Sequence, residues 1–244
     1  MTIVQTSIQG ILFDKDGTLL DYHATWMPLN RQAALMVAGG EAAVAERLLV
    51  ETGYDPASGR CLPDTLLASA TNDEIGAAWA GMLGLDPAET AARVTATFEA
   101  MSGETAVPVA RLAETVAALK ARGLVLGVAT NDSEDSAYGS LEPFGVLDHF
   151  SYVVGYDSGH GGKPGPGMVA GFCAATGLEA ASVAVVGDSL HDLEMGRRAG
   201  AGLLVGVLTG TSLREHLAPH AHHVIESIAE LEALLDAEAE RKRA

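Results

Sequence analysis

Ile8-Gln9-Gly10-Ile11-Leu12-Phe13-Asp14-Lys15-Asp16-Gly17-Thr18 is the stretch on which the reading of this chain turns. A largely apolar run, Ile8–Phe13, has the make-up of a buried strand and ends on two carboxylates two residues apart, with a glycine to make the turn. Carboxylates so placed can hold a hard cation, attack phosphorus and carry a proton. Asp, Asp, Gly and Thr at this spacing arise by chance at about 10⁻⁵ per starting position, or about 10⁻³ over a chain of this length. The pattern is therefore fairly specific before any context is added.

Further along, short β-rich runs recur at Leu124–Ala129, Tyr152–Val154, Val183–Val186 and Leu203–Val207. Helical spacing separates them over Val109–Ala121, Glu134–Phe144, Pro166–Thr176 and Ser189–Ala199, and a last helix is predicted over Ser227–Ala239. Strands alternating with helices of 10–15 residues indicate an α/β fold with a doubly wound parallel sheet. The runs lack polar alternation, as strands covered on both faces do. Ligands in such sheets bind beyond the carboxyl ends of the strands.

The interval after the first strand is abnormal. Between Asp16 and Thr130 lies far more chain than the few tens of residues a crossover needs. Most of the excess is Ala/Leu-rich with helical spacing over Trp26–Val37, Glu41–Glu51, Asp73–Leu83 and Pro87–Met101, punctuated by Gly39-Gly40, Gly53, Gly84 and Pro87. Residues 22–104 are thus expected to form an inserted all-helical cap domain, with 1–21 and 105–244 as the α/β core. Gly53–Asp64 is expected to be a turn-rich loop, and Val107-Pro108 to return the chain to the core. Glu240–Arg243 is expected to be a frayed end.

Composition narrows the function. Thirty-two Asp and Glu against fifteen Lys and Arg leave a formal net charge of −17 in 244 residues. A nucleic-acid backbone requires a basic surface, so nucleic acid is excluded as an expected partner. A small anionic substrate would need positive charge concentrated at its site, from a metal and a few basic groups. Hydrophobic residues at 48% are ample for a core. No run of about 18 apolar residues suggests a membrane span, and Met1–Gln5 lacks the basic flank of a secretion signal. Cys61 and Cys173 lie in apolar, Ala-rich surroundings and are expected to be free thiols in a cytoplasmic protein.

Four polar clusters fall at predicted strand ends: Asp14 and Asp16, Thr130-Asn131, Lys163 after the glycine-rich Gly159–Gly162, and Gly187-Asp188-Ser189-Leu190-His191-Asp192. In this order and spacing the chain resembles the haloacid dehalogenase superfamily of hydrolases, and within it the phosphoglycolate-phosphatase-type enzymes with a helical cap after the first strand. The Asp-x-Asp-Gly-Thr and Gly-Asp-x-x-x-Asp motifs are specific; the single Thr and single Lys gain weight from position. The resemblance implies a Rossmann-like core and hydrolysis of a small phosphorylated metabolite through an aspartyl-phosphate. It implies Asp14 as nucleophile, Asp16 as acid and then base with its carbonyl on the metal, and Mg²⁺ held by Asp14, Asp16 and Asp188. Asp192 would steady the metal's waters or Lys163, Thr130 would bond a phosphoryl oxygen with help from the Asn131 backbone, and Lys163 would offset charge.

Plainer readings compete with each assignment. Asp-Gly forms turns, Asp188 and Asp192 suit a helix start, Thr130 suits a helix cap, and Lys163 suits an open surface. His160, His191 and the trio His220, His222 and His223 read as surface or loop residues. Within the superfamily the second Asp of the first motif favours phosphorus over carbon chemistry. A β-phosphoglucomutase-like mutase remains open, as does a catalytically silent module that binds a phosphorylated ligand. Residues 22–104 contain no lysine, which argues against a phosphonate hydrolase with a Schiff-base lysine there. Among Arg31, Arg47, Arg60 and Arg93, Arg60 is the candidate to read a substrate carboxylate. His23 and Trp26 follow the first motif closely enough to line an entry, although packing is an equal reading for Trp26. The expected oligomeric state is monomer or homodimer.

Overall fold

Gly10–Phe13 forms β1, every residue of it buried, in a computed structural model that describes residues 8–63 and 65–241. After β1 the chain enters an insert of α1 (Tyr22–Val37), α2 (Ala42–Glu51), β2 (Tyr54–Asp55), β3 (Arg60–Cys61), α3 (Leu66–Ser69), α4 (Asn72–Leu83) and α5 (Pro87–Thr105). It then follows α6 (Leu112–Ala121), β4 (Val125–Ala129), α7 (Glu134–Leu141), β5 (Phe150–Val154), α8 (Gly167–Thr176), β6 (Val183–Gly187), α9 (Leu190–Ala199), β7 (Leu203–Val207), α10 (Arg214–Leu217), β8 (His223–Ile225) and α11 (Leu231–Arg241). Two compact units result: Met1–Asp21 with Pro108–Ala244, and Tyr22–Val107.

The first unit is built on a six-stranded sheet of order β5-β4-β1-β6-β7-β8, with every ladder parallel. It is the doubly wound arrangement that the alternating pattern predicts. β6 and β7 are buried along their whole length, as their Val- and Leu-rich composition requires of strands with helices on both faces. Leu12, Phe172, Val183, Val185, Leu193 and Leu204 belong to its apolar core. From β1 the chain winds outward through β4 and β5, then crosses to β6 on the other side of β1 and winds through β7 and β8. The order therefore reverses beside β1, the place where such sheets open a crevice for ligand. In register Phe13 stands opposite both Val128 and Val186. Asp14, Thr130 and Asp188 consequently each lie one residue past one of three adjacent strand ends.

The insert has its own apolar core, in which Leu48, Leu49, Trp79 and Val94 are buried among others. Thr71 and Glu74 close α4 with a capping box, and Asp86 caps α5 ahead of Pro87. Trp79 donates its indole N–H to Thr52 Oγ1 at 3.2 Å, so the buried ring keeps no unmet donor. Trp26 stacks on Phe98 with ring centroids 6.0 Å apart, which gives it a packing role.

Several details depart from expectation. Gly53–Cys61 holds a short antiparallel ribbon, β2 with β3, where a loop was expected; Asp64, the end of that stretch, lies outside the described residues. The segment Glu134–Phe144 is broken at Pro143, the last turn being 3-10. Of the three clustered histidines, His220 and His222 are exposed in the segment before β8, as expected, whereas His223 is not in a loop. The backbone N–H of Leu204 donates to His222 Nδ1 at 2.9 Å, and His223 opens the edge strand β8 with its ring 2.8 Å from Glu238. His160 is half-buried against the Tyr152 ring, not on open surface. α11 runs to Arg241, and residues 242–243 of the expected frayed end lie outside the description. Cys61 and Cys173 are free. Among the described residues no helix is long and apolar enough to cross a membrane.

Candidate active site

The turn after β1 is built by its own backbone. Lys15 carbonyl accepts from the N–H groups of Thr18, Leu19 and Leu20, and the Gly17 N–H donates to the Leu20 carbonyl. Gly17 takes φ +84°, and a Cβ there would lie 2.7 Å from Asp188 Cγ and 2.8 Å from the Gly210 backbone. Only glycine meets both demands. The turn thus presses against Asp188, which ties the first motif to the fourth.

Four side chains from three strand ends gather here. Lys163 Nζ lies 2.5 Å from Asp14 Oδ1 and 2.6 Å from Asp192 Oδ1, with the lysine side chain only 3% exposed. Ligand oxygens of Asp14, Asp188 and Asp192 all fall within 4.8 Å of one another, and all three residues are buried. Lys163 is itself aimed by Asn131: the lysine N–H donates to Asn131 Oδ1 at 2.7 Å, and Asn131 Nδ2 donates to the lysine carbonyl at 3.2 Å. The amide side chain thus locks the glycine-rich loop to the end of β4. Thr130 is buried, and its Oγ1 accepts from the Asp132 N–H at 3.1 Å. That bond leaves the hydroxyl proton to be donated elsewhere.

Asp192 combines two roles that looked like rivals in the sequence. Its Oδ2 accepts from the Ser189 N–H at 3.1 Å and the Ser189 hydroxyl at 2.6 Å, closing the capping box of α9, while its Oδ1 holds Lys163. Asp188 accepts from the Thr211 N–H at 3.0 Å. The loop after β7 wraps it so tightly that a Cβ on Gly210 would sit 1.7 Å from Asp188 Oδ2. Thr209 Oγ1 donates to the Gly17 carbonyl at 2.6 Å. This Thr209–Thr211 loop escaped the sequence reading, although its position beyond a parallel strand was the available signal.

The electrostatics of the cluster favour a cation. Burial, reinforced by the Asp192 charge and opposed by Lys163, pushes the Asp14 carboxyl up to about 7. Burial likewise raises Asp188 well above the ordinary carboxylate range, with the charges of Asp14 and Asp192 adding to it. For Lys163 burial works downward, but the two carboxylates outweigh it and hold the ammonium above its usual value. Three carboxylates against one ammonium leave two formal negative charges, which a divalent ion would balance. Among the described residues Asp14 Oδ2 is buried with no hydrogen-bond partner, a state that costs free energy unless something binds it. An all-carboxylate donor set suits a hard cation, so the residues present fit a divalent metal.

Asp16 is placed differently from the other motif carboxylates. Its Oδ2 lies 2.8 Å from Lys15 Nζ, which is also 3.1 Å from Asp132 Oδ2, and its carboxylate is not among the three that cluster. Lys15 and Asp132 were not singled out in the sequence. Arg60, the other candidate, lies in the second unit on β3, half-buried. Also in that unit, the Cys61 N–H lies 3.4 Å from His23 Nδ1.

Comparison with known proteins agrees with this picture. A family model described as haloacid dehalogenase-like hydrolase matches residues 8–200. A phosphoglycolate phosphatase of Pectobacterium atrosepticum is 30% identical over 204 residues, covering 80% of this chain and 78% of its own. Among solved structures, a predicted phosphoglycolate phosphatase from Haemophilus somnus 129pt superposes with a TM-score of 0.73 at 20% identity, over 96% of this chain and 99% of its own. A haloacid dehalogenase family hydrolase from Deinococcus radiodurans R1, solved with bound phosphate and sodium, gives 0.72 at 21% identity over 94% and 96%. At these identities the two structures speak for the fold, whereas the family match and the Pectobacterium relative speak for descent. The chain belongs to the haloacid dehalogenase-like hydrolase family.

Proposed function

We propose that this chain is a Mg²⁺-dependent phosphatase that hydrolyses a small phosphate monoester through an aspartyl-phosphate on Asp14. The carrying observation is the convergence of Asp14, Asp188, Asp192 and Lys163 beside β1, with one Asp14 oxygen buried and unpartnered. A carboxylate oxygen of Asp14 attacks phosphorus, the ester P–O bond breaks, and the leaving oxygen takes a proton from Asp16. Water then attacks the acyl phosphate and gives its proton to Asp16, and Asp14 is restored as phosphate departs. Thr130 Oγ1 donates to a phosphoryl oxygen, helped by the Asn131 backbone, and Lys163 offsets the charge gathering between Asp14 and the phosphoryl group.

Asp14, Asp188 and the backbone carbonyl of Asp16 would hold Mg²⁺, with Asp192 behind them because both of its oxygens already have partners. Bound there, the ion supplies the positive charge that lets a carboxylate approach a phosphate dianion. Residues 22–104 would act as the cap that reads the rest of the substrate, with Arg60 meeting a carboxylate. Phosphoglycolate, the substrate named in the Pectobacterium relative, is the leading candidate. A neutral, reducing compartment such as the cytoplasm suits the two free thiols.

A panel of phosphorylated metabolites with Mg²⁺, scored for free phosphate and for isomerised sugar phosphate, tests this reading. Mg²⁺-dependent phosphate release supports it. Isomerisation without net release would make the chain a mutase instead, and turnover indifferent to chelator would remove the metal from the account.

A further inference from the structure

The reaction assigns Asp16 two proton transfers, yet Asp16 is the one motif carboxylate outside the buried cluster. Lys15 is one of the groups that hold it. Lys15, its neighbour in sequence, is 1% exposed. Its ammonium spans Asp16 Oδ2 at 2.8 Å and Asp132 Oδ2 at 3.1 Å. A lysine buried that deeply is rare unless paired, and here it is paired on both sides. Asp132 is in turn fixed at the start of α7: Ser136 Oγ donates to its Oδ2 at 2.5 Å, and the Ser133 N–H donates to its Oδ1 at 2.9 Å. The Asp132 N–H donates to Thr130 Oγ1. One residue past the phosphate-binding pair therefore reaches Asp16 through Lys15 and Thr130 through its own backbone.

We propose that Lys15, anchored by Asp132, is a positioning residue that sets the Asp16 carboxylate for proton transfer to the leaving oxygen. The inference rests on the phosphatase reading above. A flexible aspartate on a turn samples several rotamers, and general acid–base catalysis demands hydrogen-bond reach at the reacting atom. The Lys15 ammonium removes that freedom by binding one carboxylate oxygen from a mount fixed in both the β1 turn and α7. The loop after β4 thereby places the phosphoryl group and the proton donor together.

Leaving-group dependence tests this, because a nitrophenolate departs with little need of a proton whereas an alkoxide requires one. The measured quantity is kcat/KM, which reports steps up to the first departure, for p-nitrophenyl phosphate and for an alkyl phosphate such as phosphoglycolate. For Lys15→Met the ratio of the aryl to the alkyl value should rise at least about tenfold over wild type, a fraction of what a general acid contributes. Asp132→Asn, which loosens the anchor and keeps Lys15, should shift the ratio in the same sense by less. Equal losses on both esters would mean a merely structural lysine and would overturn the proposal, as would a ratio that falls. Should Lys15→Met fail to fold, Asp132→Asn alone decides: an unchanged ratio refutes the proposal. Wild-type enzyme without Mg²⁺-dependent phosphate release would instead sink the phosphatase reading itself.

Discussion

Replacing Lys163 by methionine takes the ammonium from between Asp14 and Asp192 and keeps most of the side-chain volume. Its two contacts, 2.5 and 2.6 Å, lie in a pocket where the lysine side chain is 3% exposed, so solvent screens them little. At an effective dielectric of about 20 a pair at that separation attracts by roughly 7 kcal/mol before desolvation is subtracted. Suppose that only about 3 kcal/mol of this favours ionised Asp14. Its loss then raises the carboxyl by about two pK units, from a value already pushed up to about 7 by burial. At neutral pH roughly one nucleophile in a hundred would remain charged. From about half ionised to one in a hundred is about a fifty-fold loss, which saturating Mg²⁺ compensates in part, so kcat should fall by about ten- to fifty-fold, with the rising limb of the pH–rate profile displaced to alkaline pH. Steady-state kinetics on p-nitrophenyl phosphate from mildly acidic to alkaline pH reads both effects. A variant within tenfold of wild type, with an unmoved profile, would refute the reasoning, for Lys163 would then do nothing for the charge on Asp14.

Three further outcomes follow from the geometry. In Gly17→Ala the new methyl must displace Asp188, which would lie 2.7 Å away; backbone strain adds about 1–3 kcal/mol. The Mg²⁺ concentration for half-maximal activity should rise about tenfold, and an unchanged requirement would show that the turn does not place Asp188. Arg60→Ala should raise KM for a carboxylated phosphate ester about tenfold with a smaller effect on kcat, as for loss of a charged hydrogen bond; unchanged kinetics across an ester panel would count against it. In chelator, metal-free protein should lose stability as pH rises. Asp14 has a folded value raised from 3.8 to about 7, so it binds more protons folded than unfolded in that window, at about 1.4 kcal/mol per pH unit. Melting curves should show Mg²⁺ opposing this loss and Asp14→Asn flattening it; a wild-type slope retained in the variant would assign the effect to other groups.

The parallel sheet was legible because its strands carry unbroken apolar runs, such as Val183–Val186 and Leu203–Val207, between stretches with helical spacing. β8 was not, since His223–Ile225 is a short edge strand that opens on a histidine and follows two more in the preceding loop. The short β2–β3 ribbon was hidden by turn residues that serve a hairpin as well as a loop. Asp14, Asp188, Asp192 and Lys163 could be picked out because each follows a strand end and parallel strands share one carboxyl edge. Lys15 and Asp132 could not. A lysine in a strand-end turn is ordinarily a surface residue, and its burial depends on Asp132, 117 positions away. The Thr209–Thr211 cradle of Asp188 is likewise a matter of β7 lying beside β6, which no local pattern records.

In the proposed reaction Asp14 supplies the oxygen that bonds covalently to phosphorus. Enzyme quenched in acid during turnover, digested and weighed by mass spectrometry, should carry one phosphoryl group on the peptide that contains Asp14. The group should be labile to hydroxylamine, and Asp14→Asn should lack both the adduct and Mg²⁺-dependent phosphate release. Full phosphate release by Asp14→Asn, or an adduct confined to another residue, would contradict it.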